Sequence, residues 1–291
     1  MPIKNSELIL NPDGSIYHLN LKPEHIADTI ILVGDQDRVE KVSKHFDRID
    51  YKSQKREFKS HTGYYKGLHL TVLSTGIGPD NIDIVLNELD ALANIDFETR
   101  TIKEKLRSLR FIRIGTSGAL QEDIPVDAFV VSEYGLDLNG MLHSYRTGAI
   151  TIPEIEHAFI EHTQWPGFKA RPLLIKCHEA LEKQIVSDQT YKGITLTAVG
   201  FYGPQGRILR LPLEDEALNS KIQSFNYNGL RVTNLEMETS AIYGLSKLMG
   251  HQALSINAII ANRSLGTFSA HPGETIEKLI AYTLERLMDE G

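Results

Sequence analysis

Arg110-Phe111-Ile112-Arg113-Ile114-Gly115-Thr116-Ser117-Gly118-Ala119 is an apolar run with a cation at its centre and a small, hydroxylated end. The run predicts a buried strand, and a strand that crowds Phe111, Ile112 and Ile114 around Arg113 strips water from the guanidinium. Such desolvation is costly unless an anion answers the charge. Gly115-Thr116-Ser117-Gly118 follows at once; its glycines admit close backbone approach and its hydroxyls supply donors and acceptors. Two kinds of anion fit: a bound ligand, or a carboxylate of the chain itself.

Outward from this strand the same pattern repeats. Residues 29–33 are a short apolar run closed by Gly34 and followed by a helical pattern with Val39, Val42 and Phe46 on one face. Residues 56–61 and 68–75 alternate across Gly63 and Gly67 as a hairpin does, and Gly76-Ile77-Gly78-Pro79 then opens a helix with Ile82, Val85, Leu86 and Leu89 inward. Residues 94–109 are charged and lack β-character, which predicts a helical surface insertion. Residues 128–132, 194–199, 232–235 and 253–261 read as further strands. Residues 171–185, residues 238–249 closed by Gly250, and a last stretch with Ile276, Leu279, Ile280, Thr283 and Leu287 on one face read as helices. Strands alternating with helices predict the α/β class: a three-layer α/β/α sandwich with a mixed, largely parallel central sheet. No repeat, low-complexity tract or linker divides residues 1–291, so a single domain is expected, with ligands at the carboxyl ends of the strands.

Hydrophobic, charged and aromatic contents of 41%, 24% and 8% are ordinary for a globular chain and exclude disorder. A formal charge of −7 leaves no general field for nucleic acid or an anionic membrane, so any phosphate must be caught locally. Cys177 is the single cysteine, which forbids an intrachain disulfide or a thiolate metal cage and fits a reducing compartment. Residues 1–10 lack the apolar core of a signal peptide, and no stretch approaches the ~18 apolar residues of a membrane helix, so a cytoplasmic protein is expected. His61, His69, His157 and His162 show no ligand spacing, and catalysis by a metal is not expected.

Further segments fall at the same end of such a sheet. Gly34-Asp35-Gln36-Asp37-Arg38 couples exposed backbone N–H groups with a cation, as an oxyanion cradle does, although Asp35 and Asp37 equally suit helix capping. Ser74-Thr75-Gly76-Ile77-Gly78 looks like a dinucleotide fingerprint, but Asn81 stands where the third glycine belongs. Residues 200–207 carry Phe201 to stack on a planar ring, Gln205 to read an adjacent N–H and C=O, and Arg207 to donate to a second carbonyl. Those are the edge groups of uracil, though an exposed turn with one packed Phe is spelled the same way. Asn234-Leu235-Glu236-Met237-Glu238 sets two acids at a strand-to-helix junction, suited to a sugar diol or to the helix N-terminus.

In order and spacing, residues 33–39, 74–78, 111–119, 201–207, 236–240 and Asn262-Arg263 resemble the nucleoside phosphorylases of the uridine phosphorylase type, over about residues 17–288. The resemblance implies a pentosyltransferase that reversibly phosphorolyses a pyrimidine nucleoside to ribose 1-phosphate and uracil. It implies phosphate contacts at Gly34, Arg38, Arg113 and Thr116, with Arg56 lent by a neighbouring subunit and His18 reaching a neighbour's ribose 5′-hydroxyl. Thr116, Ser117, Gly118, Glu236, Met237 and Glu238 fall at nucleoside positions, Phe201, Gln205 and Arg207 at the pyrimidine, and Arg263 beyond the uracil edge. Arg113, Gln205, Arg207 and Glu238 are then the catalytic set.

A homo-oligomer with shared active sites follows, a dimer or a trimer of dimers. No cofactor is implied, since orthophosphate is a co-substrate. Glu57, Ile77 and Asn81 match the ligands of a structural potassium ion, with Asn81 where a serine is usual. Gln36 replaces a usual proline, and residues 1–15 and 94–109 are additions to the bacterial pattern. Purine-specific relatives carry an aspartate where Asn262-Arg263-Ser264 stands here. A purine nucleoside phosphorylase and a non-catalytic nucleoside-binding protein are the alternative readings. Arg113→Ala is expected to nearly abolish phosphorolysis while the chain stays folded.

Overall fold

A computed structural model describes residues 2–289. The chain opens with β1 (Thr29–Val33), α1 (Gln36–Ser43), the meander β2 (Arg48–Lys55), β3 (Phe58–Tyr65) and β4 (Leu68–Ser74), and α2 (Pro79–Asn94). A small hairpin, β5 (Ile95–Asp96) and β6 (Thr101–Ile102), precedes β7 (Arg110–Ala119) and β8 (Phe129–Asp137). Next come α3 (Pro153–Thr163), β9 (Leu173–Lys176), α4 (Glu179–Ile185), β10 (Thr190–Thr197) and α5 (Leu218–Ser224). The chain finishes with β11 (Asn226–Tyr227), β12 (Leu230–Glu236), α6 (Thr239–Met249), β13 (Gln252–Asn262), β14 (Thr267–Phe268) and α7 (Pro272–Arg286).

The main sheet runs β11-β12-β10-β8-β13-β7-β1-β4-β3-β2, and β7 is the strand around which the site is organised. It pairs in parallel with β1 and β13, setting Arg113 beside Leu32 and Ser255. The pairings β1–β4, β8–β10 and β10–β12 are also parallel, whereas β8–β13 and the meander are antiparallel. All of β1 is buried, as a strand covered on both faces requires. The apolar face of α2 is closed off completely, and α6 packs on β8, β10 and β13. This is the expected three-layer α/β/α arrangement. One feature was not anticipated: β12 meets the far end of β7 antiparallel, with Leu235 opposite Gly118. The strands β7, β13, β8, β10 and β12 thereby close on one another, and this roll brings the Thr116–Ser117–Gly118 end of β7 against the Glu236–Glu238 junction.

Three expectations need correction. Residues 94–109 do not form a helix; they hold the β5–β6 hairpin, because Asp96 accepts the backbone N–H groups of Glu98 and Thr99 and turns the chain. The hairpin and the N-terminal extension belong together: Arg100 donates to the carbonyls of Ile3, Lys4 and Leu8. Residues 171–185 divide into β9 and α4, since Leu173, Leu174 and Ile175 pair antiparallel with β8 and are buried there. Arg56 is not on a strand but in the tight β2–β3 turn, at φ 55°. No helix among the described residues is long and apolar enough to cross a membrane.

Candidate active site

A cavity of about 790 Å³ opens at the carboxyl ends of β1, β4, β7 and β12. Gly34 and Arg38 enter it from the β1–α1 turn, and Arg113, Thr116, Ser117 and Gly118 from β7. Phe201, Gln205 and Arg207 come from the loop after β10, and Glu236, Met237 and Glu238 from the β12–α6 junction. Twelve residues scattered between positions 34 and 238 thus share one space, each at the end of a strand that the parallel sheet stacks in line.

Arg113 is 6% exposed and meets carboxylates first. Its Nη2 donates to Glu238 Oε2 at 2.5 Å and lies 3.2 Å from Glu236 Oε2, while Nη1 donates to Asn257 Oδ1 at 2.6 Å. Burial alone would pull its pKa down; Glu236 and then Glu238 outweigh that and raise it, so the guanidinium stays charged. The two acids differ in duty. Glu236 accepts the N–H groups of Glu238 and Thr239 and the hydroxyl of Thr197, which makes it the N-terminal anchor of α6, and burial pushes its carboxyl up. Glu238 accepts Gly78 N–H at 2.8 Å with Oε1 and remains at the cavity wall. Of the two acids, both of which line the cavity, Glu236 is the one that anchors the helix.

Arg38 donates to the Ile114 carbonyl at 3.2 Å, and its pKa is lowered by burial first and by the charge of Arg113 second. Two guanidiniums that repel each other across a shared cavity are relieved by an oxyanion placed between them. Asp35 is a helix cap, accepting Asp37 N–H at 3.0 Å; it also reaches the cavity wall, where its charge partly offsets the effect of burial on Arg38.

On the wall of the same cavity Gln205 is almost fully buried, and Arg207 Nη1 donates to its Oε1 at 2.5 Å and to the Phe201 carbonyl at 2.6 Å. The guanidinium lies over the Phe201 ring, 3.8 Å from the centroid. Arg207 has its pKa lowered to about 10 by burial and the nearby charge of Arg263. Because Arg207 can only donate, the Gln205 amide must turn its oxygen to it; the residual lone pair and the NH₂ group remain to read a ring edge.

Arg56 and His18 are not among the residues that line this cavity. They lie on a connected patch of the meander side: Lys55 donates to the Tyr17 carbonyl at 2.6 Å, and the His18 and Phe58 rings are 6.5 Å apart. Arg263 lines a smaller neighbouring cavity of about 260 Å³, with its Cγ against Gly118 and its Nη2 3.5 Å from the Gly206 carbonyl. Glu57, Ile77 and Asn81 do reach the main cavity, where Asn81 and Glu57 occupy the space into which a Cβ at Gly76, held at φ 72°, would project. Among the described residues no group of three or more His, Cys, Asp and Glu side chains is placed to hold a metal.

Sequence reasoning missed Asn257, and it read Gly115 as room for a ligand rather than as room for the side chain of Arg113. Asn257 on β13 is a buried amide whose only signal was its oddity in an apolar strand. Gly115 had a clearer one, a glycine two positions from a buried arginine on the same face of a strand. A Cβ there would fall 1.7 Å from Arg113 Nη1 and 2.7 Å from Asn257 Oδ1. Gly115→Ala should therefore displace the guanidinium by an ångström or so and lower turnover about 10²-fold, as steady-state rates on the folded variant will show.

A rolled, mostly parallel sheet that ends in paired guanidiniums, a carboxylate and an amide–guanidinium reader defines a phosphorylase-type α/β protein. The chain belongs to the phosphorylase superfamily, whose family model matches residues 28–282. It is 29% identical to the uridine phosphorylase of Thermococcus kodakarensis over 284 residues, 96% of this chain and 88% of that one. It is 27% identical to a DeoD-type purine nucleoside phosphorylase of Streptococcus suis over 278 residues, 94% of this chain and 99% of that one. A solved Trypanosoma brucei nucleoside phosphorylase, described as showing uridine phosphorylase activity, superposes with a TM-score of 0.88 at 30% identity over 97% of this chain and 99% of that one.

Proposed function

We propose that the protein is a pyrimidine nucleoside phosphorylase of the uridine phosphorylase type. The observation that carries this reading is the set of groups gathered on the wall of one cavity: Gly34, Arg38, Arg113 and Thr116, suited to an oxyanion; Phe201, Gln205 and Arg207, suited to a ring edge; and Glu238, suited to a sugar hydroxyl. An orthophosphate oxygen attacks C1′ of the nucleoside as the C1′–N1 bond breaks; the electron pair leaves with the base, and ribose 1-phosphate forms. Orthophosphate is already anionic, so no general base is required, and catalysis consists of holding charges that separate. Arg38 and Arg113 hold the nucleophile, Glu238 takes the ribose hydroxyls, and Gln205 with Arg207 receives the charge arriving on the base.

Asn262 supports the pyrimidine side of the reading. Its amide donates to the Gln121 and Ile124 carbonyls, so the position offers no acid to a purine ring nitrogen. The position of Arg56 and His18 on one patch outside the cavity supports a homo-oligomer in which that patch completes a neighbour's site, with Arg56 at the phosphate and His18 at the ribose. Glu57, Asn81 and the Ile77 carbonyl offer oxygen donors of the kind a monovalent cation takes, and such an ion would tie subunits together without entering the reaction. A cytoplasmic location, where nucleoside and orthophosphate meet, goes with this function.

The test is turnover of uridine, thymidine and inosine, each with and without phosphate, following ribose 1-phosphate. Uridine should be consumed only with phosphate present and faster than inosine. Turnover in phosphate-free buffer would make the protein a nucleosidase, and tight binding without product would make it a nucleoside-binding protein.

A further inference from the structure

Glu88, on α2, has no part in the roles above, yet three N–H groups of one turn converge on its carboxylate. Oε2 accepts the backbone N–H of Leu19 at 2.8 Å, and His18 N–H is shared between Oε1 at 3.0 Å and Oε2 at 3.1 Å. Oε1 also stands 2.6 Å from His18 Nδ1. The pair is well shielded, with side-chain exposures of 27% for His18 and 13% for Glu88. Tyr17 meets the imidazole edge-on at 4.8 Å, and the Phe58 ring stands edge-on to it at 6.5 Å.

An ionised carboxylate only accepts, so Nδ1 must carry the proton in this bond. In the neutral ring that leaves Nε2 with a lone pair and no proton, an acceptor. Nε2 makes no hydrogen bond to the described residues. The backbone bonds fix where the imidazole begins, the Nδ1 bond fixes its rotation, and Tyr17 and Phe58 restrict its plane.

We propose that Glu88 is a positioning residue: it selects the His18 tautomer and aims Nε2 so that it accepts a hydrogen bond from the 5′-hydroxyl of a nucleoside held by the neighbouring subunit. The inference rests on the reading of His18 as a group lent across the oligomer. It assigns the nucleoside's primary hydroxyl to a carboxylate that never touches it. A charge-assisted bond at 2.6 Å is suited to this because it holds a ring that a neutral partner would leave freer to turn.

The measurement is the ratio of kcat/KM for uridine to that for 5′-deoxyuridine at saturating phosphate. A packing defect slows both substrates alike and leaves the ratio where it was; a lost 5′-hydroxyl contact lowers it. Glu88→Ala should lower the ratio about fivefold, the worth of one hydrogen bond, and Glu88→Gln, which keeps an acceptor oxygen at the same reach, should recover part of it. His18→Ala should lower the ratio at least as far, and adding Glu88→Ala to it should lower it no further. A ratio that falls with His18→Ala but stays at the wild-type value in Glu88→Ala overturns the role of Glu88 alone. A ratio unmoved by His18→Ala overturns the reading of His18 and this inference with it. If Glu88→Ala does not fold, Glu88→Gln still carries the comparison, with a fall of about twofold supporting the proposal and none overturning it.

Discussion

Arg113→Ala is expected to lower kcat/KM for phosphorolysis by about 10³-fold or more, since on the proposed function it removes a preorganised cation from the phosphate site. The effect is larger than the loss of one ordinary contact because the guanidinium also holds Glu238 at 2.5 Å, so one deletion disturbs both the nucleophile and the ribose carboxylate. The sequence alone suggested a variant that stays comfortably folded. The structure corrects this, because Glu236 and Glu238 would be left as buried carboxylates without their counter-charge, at a cost of about 3–5 kcal/mol of stability. Denaturant unfolding of the variant should show that loss. Arg113→Lys separates the two effects: it keeps a charge near the acids and loses the planar fork, so stability should recover more than activity. Wild-type-like turnover in either folded variant would remove the phosphate assignment from Arg113.

Gln205→Ala is the second large effect, about 10²-fold in uridine turnover, by analogy with the removal of one oxyanion donor. Two losses combine. The base edge loses its reader, and Arg207 loses the acceptor at 2.5 Å that keeps its guanidinium flat over Phe201. Arg207→Ala should therefore be strongly non-additive with Gln205→Ala, the double variant being little worse than either single one. Phosphate affinity, measured separately, should hardly change, because Gln205 and Arg207 share no hydrogen-bond partner with Arg38 or Arg113. Equal uridine turnover by the variant would mean that the base lies elsewhere.

The cavity was legible in the chain because most of its wall is written in short local stretches. Glycine after a buried strand, a hydroxyl pair, an amide two positions from an arginine, and two acids at a helix start each announce a chemistry within seven residues. The elements misread were those whose state depends on distant partners. Residues 173–176 are apolar enough for strand or helix, and only pairing with β8 makes them a strand. The hairpin within 94–109 is fastened through Arg100 to carbonyls more than ninety positions earlier, a bond that its charged composition could not foretell. Asn257, and the dependence of Arg113 on the bare face of Gly115, went unread for the same reason, since each matters only through the side chain of Arg113.

From its sequence alone the protein is an α/β chain with a cation buried in its central strand and the groups for an oxyanion, a sugar diol and a ring edge at strand ends. Periodicity and side-chain chemistry act over a few residues, and a linear chain displays them directly. Which anion answers Arg113, which of two acids anchors a helix, and that Arg56 and His18 stand outside the cavity were decided only by the tertiary structure. The partners of Arg113, Glu238 and Asn257, lie 125 and 144 positions away, and strand register and the closure of β12 on β7 bring them there. A buried charge is satisfied by whatever the packing places within a few ångströms, and no local pattern carries that information.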